Sequence, residues 1–491
     1  MPNRNPLPFP VPLSVAAEFA DADFGDARLS QRLVTVASRM ASSPAESFPK
    51  TATSPSDLEA TYRFFRNERV TSAAILAPHL AATRERAKSV TTLLSIEDTT
   101  EARFGGTAPR EGLGSLMNGG QGFFLHASLL VGLLDDDAVP LGLGGYEILT
   151  REEKREKPTT KAARQAQAKK VRADPNREAK RWLRVAQATD EALKLENLEA
   201  IHVADREGDN YDFFGPLAKS RFVIRMAQPR VVASDVEGFV PSPGQPRPQL
   251  DDAVVGLTVR AKRSVHVSAQ VTSGGRRRAQ TPRAAREAEL ELTATTVTLR
   301  PPPISDFREP VTLNVVQVTE ENVPEGEEPV SWRLLTTEPI STEAEVCRIV
   351  DMYRARWLIE EFFKALKTGC GMEDRQLETK ERLENALAVE IPIAWQMLAL
   401  RHAARSKPQA PASSVLPAAV ISLLVFMATT PGANRWGIKL AKHPTAKEAL
   451  WAIARIGGHL PNNGDPGWLT IRRGFDDVMT MLTVWPRCDQ S

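Results

Sequence analysis

The sequence predicts a mixed α/β protein whose central layer is interrupted by an all-β insertion and flanked by helical regions at both ends. Three observations carry this. From about residue 90 to 230 the hydrophobic pattern gives the order strand, strand, strand, helix, strand, helix, strand. Between 231 and 331 it changes to short alternating runs separated by Pro- and Gly-rich turns, and helical periodicity dominates the start of the chain and its Ala/Leu-rich end. Charged residues make up 25% and hydrophobic ones 42% of the 491 residues, which excludes global disorder and fibrous repeats. No stretch of 18 apolar residues occurs and prolines break up the start, so no membrane span or secretory leader is expected and a cytoplasmic location follows. Cys347, Cys370 and Cys488 are scattered and the seven histidines lack ligand spacing, so neither a disulfide framework nor a zinc site is expected.

The elements follow in order. In ADADFGDARLSQRLVTVASRMA, Leu29, Leu33, Val36 and Met40 recur at helical spacing behind Asp26, a candidate cap. A second helix follows Ser54-Pro55 and interleaves Arg63 and Arg66 with Tyr62, Phe64 and Phe65. VTTLLSIEDTT, GFFLHASLLVGLL and VPLGLGGYEIL form a three-stranded meander, the first strand ending in Glu97 and Asp98. A helix from about Asn176 leads to the strand AIHVAD ending at Asp205, and RFVIRM is the next strand. After the insertion, RLLTTEP resumes the central layer, and TEAEVCRIVDMYRARWLIEEFFKALKTG is the strongest helix, capped by Thr342 and stopped by Gly369.

The net charge of +2 announces no globally basic protein, so any polyanion signal must be local. From Arg151 to Arg184 thirteen Lys or Arg stand against five Asp or Glu, a net of +8. A second cluster comprises Arg260, Arg276, Arg277, Arg278, Arg283 and Arg286. Either could be a solvated surface; two in a chain of neutral total charge favour a shaped basic surface.

On the strongest helix Tyr353, Arg356, Glu360, Lys364 and Lys367 share an arc of about 80°, with Trp357, Phe363 and Leu366 as apolar anchors and Glu360–Lys364 as an i,i+4 pair. A phosphodiester site uses such a stripe directly: cations hold phosphate oxygens and the acid completes a metal cluster. Two-metal phosphoryl transfer needs about three converging carboxylates, because two nearby divalent cations repel unless anionic ligands neutralise them. Asp98, Asp205 and Glu360 would supply these. One metal then activates a water or 3′-hydroxyl and the other stabilises the leaving oxygen.

The runs IEDTT, ADREGDxYxF and YxxRWxxEEFxKxxKTG resemble the DDE transposases of bacterial insertion sequences, most closely the branch of the cut-and-paste transposase of the composite kanamycin-resistance transposon. Tyr353, Arg356, Glu360 and Lys367 meet its pattern Y-x2-R-x3-E-x6-K in full. Similarity extends to FADADFGDARLSQRL, TYRFFRN, RFVIR, WRLLTTEP and AIARIGGHL. The resemblance implies a ribonuclease H-like catalytic core (71–230 and 332–370) with an inserted β-rich domain (231–331), a helical N-terminal DNA-binding domain (1–70) and a helical C-terminal region (371–491) for dimerisation and DNA contact. It implies Asp98, Asp205 and Glu360 as catalytic, metal-binding acids for two Mg²⁺ ions, with Mn²⁺ able to substitute. Tyr353, Arg356, Lys364 and Lys367 become phosphate ligands, Trp332 the platform for a flipped base, and Arg63 and Arg225 further DNA contacts. The partners implied are duplex DNA with transposon-end inverted repeats, target DNA and a second copy of the chain in a synaptic dimer, with cleavage through a hairpin. The proline-rich start PNRNPLPFPVPL has no counterpart in the resemblance.

Two other function classes compete. An element-derived DNA-binding regulator would not need three acids and the full signature helix. A glycosidase using Asp98 and Asp205 would leave the cationic stripe without a role.

Overall fold

The computed structural model describes residues 15–485, apart from 107, 118, 135–136, 234–247, 268–283, 431 and the stretch 152–176 other than 160, 162 and 174. The proline-rich start, most of the basic segment and Arg276, Arg277, Arg278 and Arg283 lie outside the described residues. Among the described residues no helix is long and apolar enough to cross a membrane.

Helix α1 (Ala27–Ser42) starts where Asp26 accepts the Arg28 N–H at 2.9 Å, and it buries Leu33, Val36 and Met40. Helix α2 (Pro55–Arg66) opens with Ser54 accepting from the Asp57 N–H and with proline in the first turn. Its aromatic pair Phe64 and Phe65 is buried, which leaves Arg63 exposed beside Glu59. Asp57 locks α2 to α1 by accepting from Arg39 and from Arg32, the latter at 2.9 Å, and the Arg39 hydrogen bond leads the interactions that depress its carboxyl to about 2. A depressed carboxyl stabilises the fold above its unfolded value of 3.8 and loses that contribution as pH falls through about 2. Asp57→Asn should cost about 2 kcal/mol at neutral pH, measured by denaturant midpoint, and shrink toward zero in acid.

Among the described residues the core is one ten-stranded sheet. Strands β1 (Thr92–Phe104), β3 (Gln121–Leu134) and β4 (Asp137–Leu149) form the expected meander, with the two-residue β2 (Gly114–Ser115) beside β3. On the other side of β1, β5 (Ile201–Ala204) and β6 (Arg221–Arg225) run parallel to it. The insertion supplies β7 (Val259–Val267), β8 (Arg286–Leu299) and β9 (Val311–Glu320). These strands do not form a separate layer. β9 pairs with β10 (Ser331–Thr336), which pairs with β6, so the sheet runs on from the core into the insertion.

Helices α3 (Ser72–Ala87), α4 (Arg181–Lys194) and α7 (Lys380–Ser406) cover β4, and α7 is buried along most of its length. Gly142, at φ +140°, allows α3 to approach, since a Cβ there would collide with Thr83. The N-terminal region is tied in by buried Glu18, which accepts from Arg86 at 2.7 Å and meets His79 at 2.5 Å. Helices α8 (Ala418–Thr429), α9 (Ala446–Ile456) and α10 (Trp468–Val484) complete the C-terminal region.

The expected long helix is capped by Thr342 with a reciprocal Glu345 bond, but it is not continuous. α5 (Glu343–Ala355) breaks at Arg356, α6 (Trp357–Lys364) follows, and residues Ala365–Gly369 wind as a wider π-turn. The π-turn adds a residue to the last turn and takes Lys367 off the regular 100° progression on which the shared arc relied.

Candidate active site

The parallel pairing of β1 with β5 sets the first two acids side by side. Glu97 is in register with Ala204, so Asp98 and Asp205 follow directly where the parallel pairing stops, the side on which open α/β sheets place their ligand crevices; β5 ends there, whereas β1, expected to end at Asp98, runs on to Phe104 against β3. Asp98 accepts the Thr99 N–H at 2.7 Å, and Asp205 accepts the Glu207 N–H at 2.7 Å. Burial and then the charge of Asp205 push the Asp98 carboxyl up to about 7.

Alternation along β1 sends Glu97 to the opposite face. It is fully buried there, 2.8 Å from His202 Nδ1, while His202 Nε2 meets Asp190 at 3.0 Å. Burial alone would lower the His202 pKa, but its bonds to Asp190 and Glu97 raise it to about 10. Of the two acids in IEDTT, one is thus spent inside the fold and the other is presented beside Asp205, where β5 ends.

The second adjacent pair divides the same way. Glu360 accepts from Arg356, which also reaches Asp98 at 3.5 Å. Burial opposes the charge on Arg356, but Tyr353, Glu360 and Asp98 hold its pKa above the ordinary value. Glu361 is buried and accepts from Arg401 on α7 and from Trp468 Nε1 at 3.1 Å. Lys364 bonds to Glu361 at 3.0 Å, so the expected Glu360–Lys364 pair is replaced by Glu360–Arg356 and Glu361–Lys364. Both replacements are ordinary helical pairs, i,i+4 for Arg356–Glu360 and i,i+3 for Glu361–Lys364.

The three acids are therefore gathered, but not as a closed cage. Asp98 and Asp205 are neighbours, and Glu360 joins them through the Arg356 guanidinium; among the described residues no three His, Cys, Asp or Glu side chains converge on one point. The chemistry fits a divalent cation. Two carboxylates on adjoining parallel strands, one pushed up by burial and by its neighbour, carry anionic charge that the fold neutralises only in part.

Tyr353 is buried and meets Trp332 edge-on at 5.3 Å. Trp332 is half-buried at the start of β10, and Arg225 at the end of β6 donates to the Ser331 carbonyl at 3.2 Å. Burial lowers the Lys364 pKa, with Glu360 pulling up and Arg405 pushing down, and Lys364 lies 4.5 Å above the Trp357 ring. Trp357, expected as an apolar anchor, is instead 52% exposed, whereas Phe363 and Leu366 are buried. Lys367 sits 3.7 Å from Glu373. Arg63 lies on α2 in the N-terminal region.

The described ends of the basic segment are paired within the protein: Arg151 with Glu178 at 2.5 Å and Arg184 with Glu147 at 2.5 Å. Arg286 of the second cluster pairs with Glu320 and Glu327. Sequence reasoning passed over Glu207, two residues beyond Asp205, whose carboxyl is raised by burial and by Asp205. Its position in ADREGD was the available signal.

Two family models match the chain. A transposase DNA-binding model covers residues 14–70, with Arg63, and a transposase DDE domain model covers residues 148–391, with Asp205, Arg225, Trp332 and the whole helical stripe; Asp98 falls between them. The mixed α/β sheet with helical flanks agrees with the ribonuclease H-like core of that domain, and DDE domains generally use divalent metal ions. The chain thus carries a transposase DNA-binding domain followed by a transposase DDE domain.

Proposed function

We propose that this transposase cuts DNA at transposon-end inverted repeats and joins the freed 3′ ends to target DNA, in the cut-and-paste manner of the kanamycin-transposon branch. The observation that carries the reading is the adjacency of Asp98 and Asp205 on neighbouring parallel strands, with Arg356 linking Asp98 to Glu360. Asp98, Asp205 and Glu360 would hold Mg²⁺, or Mn²⁺ in its place, as two ions. Bound there, such ions supply Lewis-acid stabilisation of the phosphate oxygens and a more acidic nucleophile. Tyr353, Arg356, Lys364 and Lys367 orient the phosphodiester, and Arg63 and Arg225 add contacts to the duplex. Two copies of the chain would hold two ends in a synaptic dimer.

The test incubates purified protein with Mg²⁺ or Mn²⁺ and labelled DNA carrying the flanking inverted repeats. Strand-specific nicks exposing 3′-hydroxyls, followed by joined product, support the reading. End binding with no cleavage under either ion would leave a DNA-binding regulator in its place.

Neutralising Lys364 or Lys367 should flatten the plot of log affinity against log salt by about one phosphate contact each. An unchanged slope would return the pair to their contacts with Glu361 and Glu373.

Cleavage through a hairpin requires a sharp bend, which a base flipped onto Trp332 would relieve. Trp332→Ala should spare the first nick and slow hairpin formation, with Phe partly restoring it, as read from the ratio of nicked to hairpin product. Because Trp332 also packs on Tyr353, loss of the nick itself would mark it as a packing residue.

A further inference from the structure

The backbone groups that hold the first two acids belong to residues whose side chains meet one guanidinium. Thr99 gives its N–H to Asp98 and Glu207 gives its N–H to Asp205. Arg181, the first residue of α4 and only 8% exposed, donates Nε to Thr99 Oγ1 at 3.0 Å and Nη2 to Glu207 Oε2 at 3.5 Å. Its Nη1 donates to the Glu178 carbonyl at 3.1 Å, which anchors the fork to the helix start. On the far side of Thr99 the hydroxyl meets His126 Nδ1 at 2.9 Å, so its position is fixed from both directions.

We propose that Arg181 is a positioning residue: by bridging Thr99 and Glu207 it sets the separation of the Asp98 and Asp205 carboxylates, and with it the affinity of that pair for a divalent cation. The proposal rests on the reading that these two acids hold the ion. Like charges on adjoining strands repel, and beyond Glu97 and Ala204, where the β1–β5 pairing stops, a side-chain bridge can hold the turn after β5 at a fixed spacing from β1. A guanidinium can do so because its donors diverge in a rigid plane, whereas a lysine ammonium is a point charge on a flexible stem. Outer contacts of this kind change metal affinity by about 10–100-fold when removed.

The test uses the full chain as Arg181→Lys, Arg181→Gln and Glu207→Gln. Glu207 is mostly exposed, at 64% of its side chain, so that last change leaves packing alone. Each variant should need about tenfold more Mg²⁺ for half-maximal cleavage of end DNA, recover a near-normal rate at saturating Mn²⁺, and bind end DNA normally in chelator. Without any DNA chemistry, Fe²⁺ with ascorbate and peroxide should cut the wild-type backbone beside Asp98 and Asp205, and the variants should need more iron for the same cuts. A metal titration and an iron-cut pattern equal to wild type, in Arg181→Gln or, if that variant misfolds, in Glu207→Gln, would overturn the proposal and leave Arg181 as an anchor for α4. Absence of iron cuts at both acids in the wild-type chain would overturn the metal-site reading itself, and this proposal with it.

Discussion

Asp98→Asn, Asp205→Asn and Glu360→Gln should each lower strand cleavage by at least about 10³-fold, the scale for losing one preorganised electrostatic group. End binding should survive, because Lys and Arg contacts to phosphate provide most of the affinity. The three losses should not add, since groups that act as a unit fail together. Cleavage rates on labelled ends and gel-shift affinities, measured side by side, check this. Glu360→Gln also frees Arg356 from one of its two acidic partners, so substantial residual cleavage there would reduce Glu360 to an ion-pair partner. Equal loss of binding in all three would recast the acids as structural.

A change one residue further along should act on stability instead. Glu361→Gln leaves buried Arg401 without its carboxylate and weakens the acceptor of Trp468. Breaking one partner of a buried pair costs about 3–5 kcal/mol, which should appear as a lower denaturant midpoint with an unchanged slope. Glu360→Gln should melt like the wild type. The double change Glu361→Met with Arg401→Met should recover much of the loss, because an apolar pair carries no desolvation penalty. A Glu361→Gln protein as stable as wild type would mean that Arg401 finds compensation elsewhere.

These neighbouring acids mark the limit of what the sequence discloses. Periodicity says that Glu97 and Asp98 point to opposite faces of a strand and that Glu360 and Glu361 differ by about 100° around a helix. It does not say which face is inside. That is decided by His202, Asp190, Arg401 and Trp468, residues distant in sequence whose pairing no local pattern encodes. Local chemistry was legible where it is self-contained: the Asp26 and Thr342 caps, the apolar face of α1 and the meander of β1, β3 and β4 all follow from short-range rules. Charge counts do not register pairing. Arg181 and Arg184 stand among thirteen cations in the sequence, yet both are engaged with acids and hydroxyls of the fold. The break at Arg356 likewise carries no proline or glycine signal; it coincides with a guanidinium serving two carboxylates at once.

The unbroken passage of the sheet from β6 through β10 into the insertion has a consequence for colloidal behaviour. A sheet of this length has two open margins, and unpaired margins recruit other chains. At one end β4 is shielded by α3, α4 and α7. At the other, β7 has no strand beyond it among the described residues, and it carries Arg260, Lys262, Arg263 and His266 along VRAKRSVHV. Lys262, Arg263 and His266 are held there by Glu291 and Glu321, Asp351 and Glu287, and polar, ion-paired side chains along a margin hinder the flat approach of a second strand. A shortened protein that joins β6 straight to β10 would instead expose β10, whose SWRLLT run has one cation and two leucines, and its failure would show as aggregation before any defect in catalysis could be read.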